Sequence, residues 1–408
     1  MDALTTPLNW QRVRLGDVAE IKRGASPRPI ENPKWFCTNS NVGWVRISDI
    51  SKNSRFLYKT AQKLSKKGIE KSRFIKQNSL IMSMCATIGK PIITKIDTCI
   101  HDGFVVFENP KIDLNYLYYF LCYIEKEWLE SGQQGSQVNL NVDLIKNKEV
   151  FYPKDLNEQI AIANILSDVD RYLYSLDALI LKKESVKKAL SFELLSQRKR
   201  LKGFNQAWQR VRLGDIGITI SGLAGKTKQD FINGNAKYIT FLNVLNNVII
   251  DTSILENVKI YPNEKPNSFK KYDLFFNTSS ETPKEVGMCA VLLDDIDQVF
   301  LNSFCFGFRI FDKAVDSLFL SYLINSEIGR KAFENLAQGS TRYNLSKSGF
   351  NNVCLILPPL NEQIAIANIL SALDHEIISL KNKKRQFDNI KKALNHDLMS
   401  AKIRVLKK

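Results

Sequence analysis

The chain has 408 residues, a net charge of +16, 44% hydrophobic residues and 25% charged residues. This composition is typical of a folded globular protein and excludes a disordered one, and the length predicts two or three domains. The seven cysteines form no C-x-x-C pair, and no stretch approaches the roughly 20 apolar residues that span a bilayer. The sequence therefore predicts a cytoplasmic protein with reduced thiols that is neither exported nor membrane-spanning.

The positive charge is unevenly distributed along the chain. Net charge is +7 over residues 1–155, +3 over 156–203, +1 over 204–359 and +5 over 360–408. The densest block, residues 46–76, carries ten Lys or Arg against two acidic residues. A basic stripe inside a folded domain is the usual electrostatic footprint of phosphate contacts, although the same residues can serve solubility alone.

Taken in chain order, the predicted elements occur twice. A short first strand, WQRVRLGD, occupies residues 10–17 and returns unchanged at 208–215. A mixed α/β body follows each copy, with β-rich runs such as 79–89 and 103–107 and helix-like runs at 114–131 and 318–336. The segment LNEQIAIANILS then begins a long helix at 156–167 and again at 360–371. The chain therefore contains one structural plan twice.

Apolar residues along each long helix recur at alternating steps of four and three, which is typical of a coiled-coil seam. We expect helices over about 157–199 and 361–405, capped by Asn157 and Asn361 and roughly 64 Å long at 1.5 Å per residue. The two helices are predicted to pack antiparallel as one coiled coil, with the bodies at opposite ends; two separate homodimeric coiled coils are the alternative. The seam positions are 162, 166, 169, 173, 176, 180, 186, 190 and 194, and 366, 370, 373, 377, 380, 390, 394 and 398.

The duplicated motifs together resemble the specificity subunit of a type I restriction–modification system. They are the P-(x)-L-N-E-Q-x-A-I-A-x-I-L-S helix start, the Lys-rich helix ending in LLSQRKRL, and the W-x-x-V-x-L-G-D strand. The resemblance covers the whole chain. It implies an α+β fold in which two mixed α/β target-recognition domains are separated by two antiparallel spacer helices in a circular, pseudo-twofold arrangement. The implied boundaries are 1–155 and 204–359 for the two domains, and 156–203 and 360–408 for the central and C-terminal helices.

The same resemblance implies a function and a set of partners. Each body would bind one half of a split double-stranded DNA target, and the helices would hold two adenine-methyltransferase subunits, with restriction (helicase–nuclease) subunits joining the complex. S-adenosylmethionine, ATP and magnesium would be bound by those partners, so this chain is expected to be non-catalytic, with no cofactor or metal of its own. A self-sufficient DNA-binding regulator and a fused enzyme are the competing hypotheses.

Polar residues that repeat without change suggest a shared partner surface. A coiled coil needs only its seam, and we expect the other repeated polar side chains to be exposed, with no packing reason to match between divergent halves. Recent duplication is the alternative explanation. The predicted partner-binding residues are Glu158, Gln159, Asn164, Glu362, Gln363 and Asn368.

Residues that contact base edges are expected in polar segments that differ between the copies inside a shared frame. Between Gly-Ser and Asn-Leu, the first copy carries Gln-Val and the second Thr-Arg-Tyr, and a second such segment begins at Arg46, which aligns with Thr240. Arginine can bind guanine, and asparagine or glutamine can bind adenine. An ordinary polar loop is the alternative. The predicted base contacts are Arg46, Ser48, Gln137, Asn139, Thr341, Arg342, Tyr343 and Asn344; the predicted phosphate contacts are Lys22, Arg23, Arg28, Lys52, Arg55, Lys63, Lys66 and Lys67.

Motifs for catalysis are incomplete. The segment GLAGKT at 222–227 lacks the first glycine of a phosphate loop, because position 220 is Ile220. Residues 32–35, NPKW, lack the second proline of an amino-methyltransferase motif. The three histidines, His101, His375 and His396, have no spacing that assembles a zinc site or a catalytic triad. The sequence therefore gives no reason to expect an enzyme.

Overall fold

The computed structural model describes residues 7, 9–51, 55–131, 140–334, 336, 339 and 342–405. The chain forms two compact units. The first comprises Met1–Asp177 and Lys383–Lys408, and the second comprises Ala178–Asn382. In the described part of the chain, no helix is both long and apolar enough to cross a membrane.

The first unit contains one mixed α/β body and parts of both long helices. Its strands are β1 Trp10–Arg14, β2 Glu20–Arg23, β3 Gly43–Val45, β4 Phe56–Leu57, β5 Gln62–Lys63, β6 Arg73–Ile75, β7 Leu80–Ser83, β8 Pro91–Thr94, β9 Thr98–Ile100, β10 Phe104–Glu108 and β11 Glu149–Pro153. Its helices are α1 Leu15–Val18, α2 Ile47–Ser51, α3 Lys66–Glu70, α4 Leu114–Tyr123, α5 Glu125–Ser131, α6 Val142–Asn147 and the beginning of α7 Leu156–Leu195, with a 3-10 helix at Pro33–Trp35. The sheets have strand orders β1-β11, β2-β10-β7-β8-β4 and β5-β3-β9-β6.

The second unit repeats this plan with different loops. Its strands are β12 Gln209–Arg212, β13 Gly217–Ser221, β14 Ala236–Ile239, β15 Glu256–Val258, β16 Leu274–Asn277, β17 Ser279–Ser280, β18 Cys289–Val291, β19 Val299–Leu301, β20 Cys305–Ile310, β21 Tyr343–Asn344 and β22 Cys354–Leu357. Its helices are α8 Leu213–Ile216, α9 Phe241–Asn246, α10 Ser317–Asn325, α11 Glu327–Glu334, α12 Lys347–Asn351 and the beginning of α13 Leu360–Met399, with 3-10 helices at Lys228–Phe231, Thr252–Ile254 and Pro283–Glu285. The sheet orders are β12-β22, β13-β20-β16-β18, β15-β14-β19 and β17-β21.

The repeated first strand closes each body. In the first unit β1 pairs antiparallel with β11, the strand that leads into α7. In the second unit β12 pairs with β22, which leads into α13. Each body therefore ends beside its own beginning, and the long helix starts at that point.

The main core of each unit lies between the body helix and the long helices. In the first unit, Asp113 caps the start of α4, and its carboxylate accepts the Tyr116 N–H at 2.8 Å. The helix buries an almost continuous apolar run against Ile162 and Leu166 of α7. Leu398 of α13 joins the same core. In the second unit, Ile366 and Leu370 of α13 pack in the main core with Leu194 and Leu195 of α7 and a cluster of phenylalanines around Phe350.

The antiparallel packing of the long helices is confirmed within each unit. In the first unit, Asp170 pairs with Lys391 at 2.5 Å and Asp177 with Lys384 at 2.6 Å. Residue numbers on α7 increase while those of their partners on α13 decrease, as antiparallel helices require. The second unit shows the same relation, with Lys183 bound to Glu376 at 2.7 Å and Lys187 to Asp374 at 2.5 Å.

Three details of the predicted helices are wrong. Both helices end earlier than predicted, at Leu195 and Met399, and the left-handed residues Gln197 and Ala401 follow them. Asn157 is not the cap, because its N–H is accepted by Asp155 at 2.9 Å. The predicted seam residues Val186 and Ile390 are 40% and 49% exposed.

Candidate functional site

A buried glutamate joins the two repeated motifs in the first unit. Glu158 of α7 accepts the indole N–H of Trp10 at 3.2 Å and the side-chain N–H of Asn9 at 2.8 Å. Arg404, from the segment after α13, lies 4.0 Å from the same carboxylate. The WQRVRLGD strand and the LNEQ helix start are therefore held together by a direct Trp–Glu contact.

The second unit repeats this contact with a stronger ion pair. Glu362 accepts the indole N–H of Trp208 at 3.3 Å, and the Arg200 guanidinium donates to both of its carboxylate oxygens at 2.8 and 2.6 Å. Arg200 and Arg404 are equivalent at the 204-residue offset, so the same four-part arrangement of helix, strand, tryptophan and arginine occurs in both units.

The neighbouring glutamines anchor each body helix to the start of the long helix. Gln159 accepts the backbone N–H of Asp113 at 2.7 Å and donates to the Pro153 carbonyl at 2.8 Å. Gln363 makes the equivalent bonds to Asp316 at 2.9 Å and Pro358 at 2.7 Å.

The premise that Glu158, Gln159, Glu362 and Gln363 are exposed is therefore wrong. All four are at most 9% exposed and bonded within their own unit. Their identity between the copies has an internal reason, because each holds the same junction between strand, body helix and long helix.

A different set of repeated residues is exposed at each helix start. On α7, Leu156, Asn157, Ile160 and Asn164 face away from the core. On α13, Asn361, Ile364 and Asn368 do the same, and Ile160 and Ile364 are exposed to nearly the same extent, 38% and 39%. We call these residues the first and second helix-start faces. Of the predicted partner residues, Asn164 and Asn368 belong to them.

Strand register allows the two bodies to be compared position by position at one sheet edge. β3 runs parallel to β9 in the first body, as β14 does to β19 in the second. In both bodies a glycine directly follows the strand that leads to this edge: Gly24 follows β2, and Gly222 follows β13. A Cβ there would lie 2.0 Å from the His101 carbonyl oxygen or 2.3 Å from that of Asn302. The equivalent pairs are Arg23 and Ser221, Arg46 and Thr240, Arg73 and Asn267, His101 and Asn302, and Asp102 and Ser303.

The first polar edge, formed by Arg23, Arg28, Arg46, Arg73, His101 and Asp102, is strongly basic. Asp102 organises it: its side chain accepts from Ser26 at 2.7 Å and Arg28 at 3.0 Å, and its backbone carbonyl accepts from Arg23 at 2.8 Å. The Ser26 hydrogen bond holds the pKa of the Asp102 carboxyl below its usual range, so the group is a carboxylate. Four arginines around one carboxylate leave a net positive surface.

The second polar edge, formed by Ser221, Thr240, Asn267, Asn302, Ser303 and Arg342, carries the charge of Arg342, and the Lys347 ammonium donates to the Ser221 hydroxyl at 2.6 Å. The Arg342 guanidinium lies over the Phe304 ring at 5.4 Å from its centroid, one residue beyond Ser303. Asn344 donates to the Arg342 carbonyl at 3.3 Å. The same frame thus presents different hydrogen-bonding groups in the two bodies.

Comparison with known proteins gives the family. The chain matches the family model of the type I restriction modification DNA specificity domain twice, over residues 7–183 and 205–387. The chain belongs to this family.

Two specificity subunits and one solved structure are similar to this chain, one subunit over part of the chain and the other two over nearly all of it. The chain is 26% identical to the type I restriction enzyme MjaVIII specificity subunit of Methanocaldococcus jannaschii, over 99% of this chain and 95% of that protein. It is 25% identical to the EcoprrI specificity subunit of Escherichia coli over 40% and 42% of the two chains. The crystal structure of the type I restriction–modification S subunit from M. genitalium has the same fold, with a TM-score of 0.62 and 15% identity over 97% of each chain.

Several residues predicted for this family member lie elsewhere than at the polar edges. Lys63 is exposed but lies opposite Gly43, at the other end of β3 from Arg46, and Lys66 and Lys67 are exposed on the adjoining α3. Ser48 is exposed on α2, beside the first polar edge. The Lys22 ammonium forms ion pairs with Glu108 at 2.5 Å and Glu20 at 2.9 Å, so its charge is already balanced within the body. Tyr343 is half-buried, next to Arg342.

Arg55 corrects the phosphate prediction. It is 7% exposed, and its guanidinium donates to Tyr119 at 2.9 Å, Ser167 at 2.7 Å and Asn115 at 2.7 Å. The side chain is therefore part of the junction between body and long helix and is unavailable to phosphate. The remaining predictions, Lys52, Gln137, Asn139 and Thr341, lie outside the described residues.

Sequence reasoning missed Arg73, Asn267 and the His101–Asp102 turn. A signal was present, because the offset of 194 that aligns Arg46 with Thr240 continues without a gap through Leu80 and Leu274. The register Ile75 to Thr98, matched by Phe269 to Val299, follows that offset. Extending the alignment by one strand pairs Arg73 with Asn267.

The described residues contain no group of three or more His, Cys, Asp or Glu side chains that could hold a metal ion. Burial lowers the pKa of His101 to about 4, and its Nδ1 accepts the Gly103 N–H at 2.9 Å. Lys226, in the GLAGKT segment, forms an ion pair with Glu264. The imidazole is therefore a neutral structural acceptor, and the ammonium already has a carboxylate partner.

Proposed function

We propose that the chain is a non-catalytic specificity subunit that binds a bipartite double-stranded DNA target, one half with each polar edge. It also holds two adenine-methyltransferase subunits, one at each helix-start face, and through them the restriction subunits. S-adenosylmethionine, ATP and magnesium belong to those partners.

The observation that carries the DNA role is the exchange of side chains on a constant frame. At positions equivalent in register and glycine contact, the first body carries Arg23, Arg46 and Arg73, and the second carries the neutral residues Ser221, Thr240 and Asn267. If these positions served only to stabilise the fold, there would be no reason for the side chains to differ between the bodies. Two different half-sites require different side chains, because each base pair presents its own pattern of donors and acceptors.

The helix-start faces support the partner role. Ile160 and Ile364 are exposed apolar residues at identical positions, flanked by identical exposed asparagines. The internal contacts that explain Glu158 and Gln159 do not involve this outward side. Two equal surfaces are the expected arrangement for two equal partners.

The test is to express the chain with its neighbouring methyltransferase gene and determine the methylated motif by single-molecule sequencing. Arg46→Ala should relax recognition in one half of the motif, and Arg342→Ala in the other half. Each change should cost about 1–3 kcal/mol of discrimination. Arg12→Ala, which removes an exposed arginine paired with Glu149 at 3.6 Å, is the matched control and should leave the motif unchanged.

Two results would contradict the proposal. One is that Arg46→Ala and Arg342→Ala degrade the same half of the motif. The other is that no methyltransferase co-purifies while the chain alone binds DNA tightly, which would favour a self-sufficient regulator. Lys63→Ala separates positioning from recognition, because loss of a phosphate contact weakens all sequences alike and lowers the salt slope by about 0.9.

A further inference from the structure

Arg73 and Asn267 occupy the same place in the two bodies and make the same backbone contact. The Nε–H of Arg73 donates to the Arg23 carbonyl at 2.5 Å. The Nδ2–H of Asn267 donates to the Ser221 carbonyl at 3.0 Å. Since Arg23 and Ser221 are themselves equivalent in the register with β10 and β20, each side chain is tied to the last residue of the same strand.

These two hydrogen bonds, which we call the tether, restrict the rotamers of Arg73 and Asn267 and so fix the direction of their remaining polar atoms. Arg73 keeps its two terminal NH₂ groups, which together form a planar pair of donors. Asn267, which is exposed, keeps its Oδ1 acceptor and the second hydrogen on Nδ2. A side chain already held in one rotamer loses less entropy when it binds a ligand.

The hydrogen bond to the Arg23 carbonyl does not by itself explain why residue 73 is an arginine. Asn267 makes the same bond in the second body, so a short amide is sufficient to hold this strand. Arg73 is not held by a charge partner at Asp102 either, because the Asp102 carboxylate accepts from Arg28 and Ser26. The additional donors of Arg73 therefore have a use outside the frame.

We propose that Arg73 binds the O6 and N7 acceptors of a guanine in the half-site of the first body, and that Asn267 binds the N6 donor and N7 acceptor of an adenine in the half-site of the second. These are the bidentate pairings that the free atoms of each side chain allow in the major groove. The inference rests on the proposed function and adds to it the base that each body prefers at this position.

The experiment uses the assembled methyltransferase complex and the motif that it methylates. Arg73→Asn keeps an amide that can make the tether but removes the paired donors. It should lower the preference for one guanine by roughly 5- to 150-fold, the range expected for one bidentate contact. Asn267→Ala should lower the preference for one adenine in the other half-site by a similar factor.

Matched controls separate base contact from framework and charge. Asn235→Ala removes another exposed amide that donates to a backbone carbonyl, that of Ile260 at 3.0 Å, at the opposite end of β14 from the second polar edge. Arg12→Ala removes an equal charge. Both should leave the motif unchanged. Arg73→Lys keeps the charge without the planar fork, and it should weaken the guanine preference while retaining the wild-type salt slope.

The outcomes distinguish this inference from the function on which it rests. If Arg46→Ala and Arg342→Ala alter separate halves but Arg73→Asn and Asn267→Ala keep the wild-type motif, the base assignment is wrong and the specificity role stands. If Arg73→Asn weakens all sequences equally while Arg73→Lys leaves both the motif and the affinity unchanged, Arg73 acts as a point charge on phosphate and the assignment also fails. Unchanged melting temperatures of the variants confirm that the motif change is not caused by unfolding.

Discussion

His101 is a largely buried imidazole, with 15% of its side chain exposed, at the position that Asn302 occupies in the second body. Burial is the main cause of its lowered pKa, Arg46 lowers it further, and the Asp102 carboxylate 3.8 Å away opposes the shift. Its Nδ1 accepts the Gly103 N–H, which a protonated ring could not do. The neutral form is therefore the one that the fold selects.

This gives a pH dependence with a definite sign. The folded pKa is about 4 and the ordinary value is 6.5, so between these limits the unfolded chain binds more protons than the folded one. The free energy of unfolding should therefore fall as pH drops from about 6.5 to 4. His101→Asn, which copies the second body, should lose this part of the fall. Denaturant unfolding of both proteins at pH 7 and 4.5 measures it, and equal slopes with pH would contradict the assignment.

At the scale of elements, each body helix is tied to both long helices by a tyrosine, an aspartate and a lysine. In the first unit the Tyr119 hydroxyl donates to Asp170 at 2.7 Å, and Asp170 pairs with Lys391. In the second unit Tyr322 donates to Asp374 at 2.7 Å, and Asp374 pairs with Lys187. One carboxylate thus joins three helices in each unit.

The helix-start faces provide the prediction at this scale. Ile160→Ala with Asn164→Ala should remove one methyltransferase subunit from the complex, and Ile364→Ala with Asn368→Ala should remove the other. Removing part of an exposed apolar contact lowers affinity without opening the core. Native mass spectrometry gives the stoichiometry. Ile378→Ala, at an exposed isoleucine of α13 outside the repeated segment, is the control and should leave two subunits bound. Full assembly of both double variants would reject the faces as docking surfaces.

The sequence predicted the duplicated plan because apolar spacing and repeated motifs can be recognised directly in the amino-acid sequence. It did not predict which repeated polar residues face inward. Glu158 and Asn164 are both polar, both identical between copies and on the same helix, yet one is buried against Trp10 and the other is exposed. That difference depends on which side of the first turns meets the body, and this is a property of tertiary packing. The prediction that Arg55 contacts phosphate was wrong for the same reason. Its neighbours in the sequence are rich in lysine, but the side chain packs against two tyrosines in the folded structure.

At the scale of the whole molecule, neither sequence repeat is a complete unit. The core of the first unit includes Leu398 and Met399, which lie more than 200 residues beyond the end of its body and are almost fully buried. Leu194 and Leu195, which belong to the first repeat by sequence, are buried in the core of the second unit. Each repeat therefore supplies the apolar end of its long helix to the other unit.

This exchange predicts that two equivalent substitutions destabilise different units. Leu398→Ala should destabilise the first unit, and Leu194→Ala the second, each by about 2–5 kcal/mol, the range for removal of a buried leucine side chain. Hydrogen exchange shows which amides lose protection: those of β1 and β11 in the first case, and those of β12 and β22 in the second. Loss of protection in the body that precedes the mutated helix in sequence would contradict the assignment.

The same burial of Leu398 has a consequence for synthesis on the ribosome. Chains are made from the N-terminus, and domains commonly fold in the order in which they emerge. Here the second unit, Ala178–Asn382, is one continuous segment, whereas the first unit lacks part of its core until Lys383–Lys408 has been translated. The body that is made first is therefore the one completed last. During elongation, Ile162 and Leu166 therefore lack the core contacts that Leu398 and Met399 provide in the folded protein.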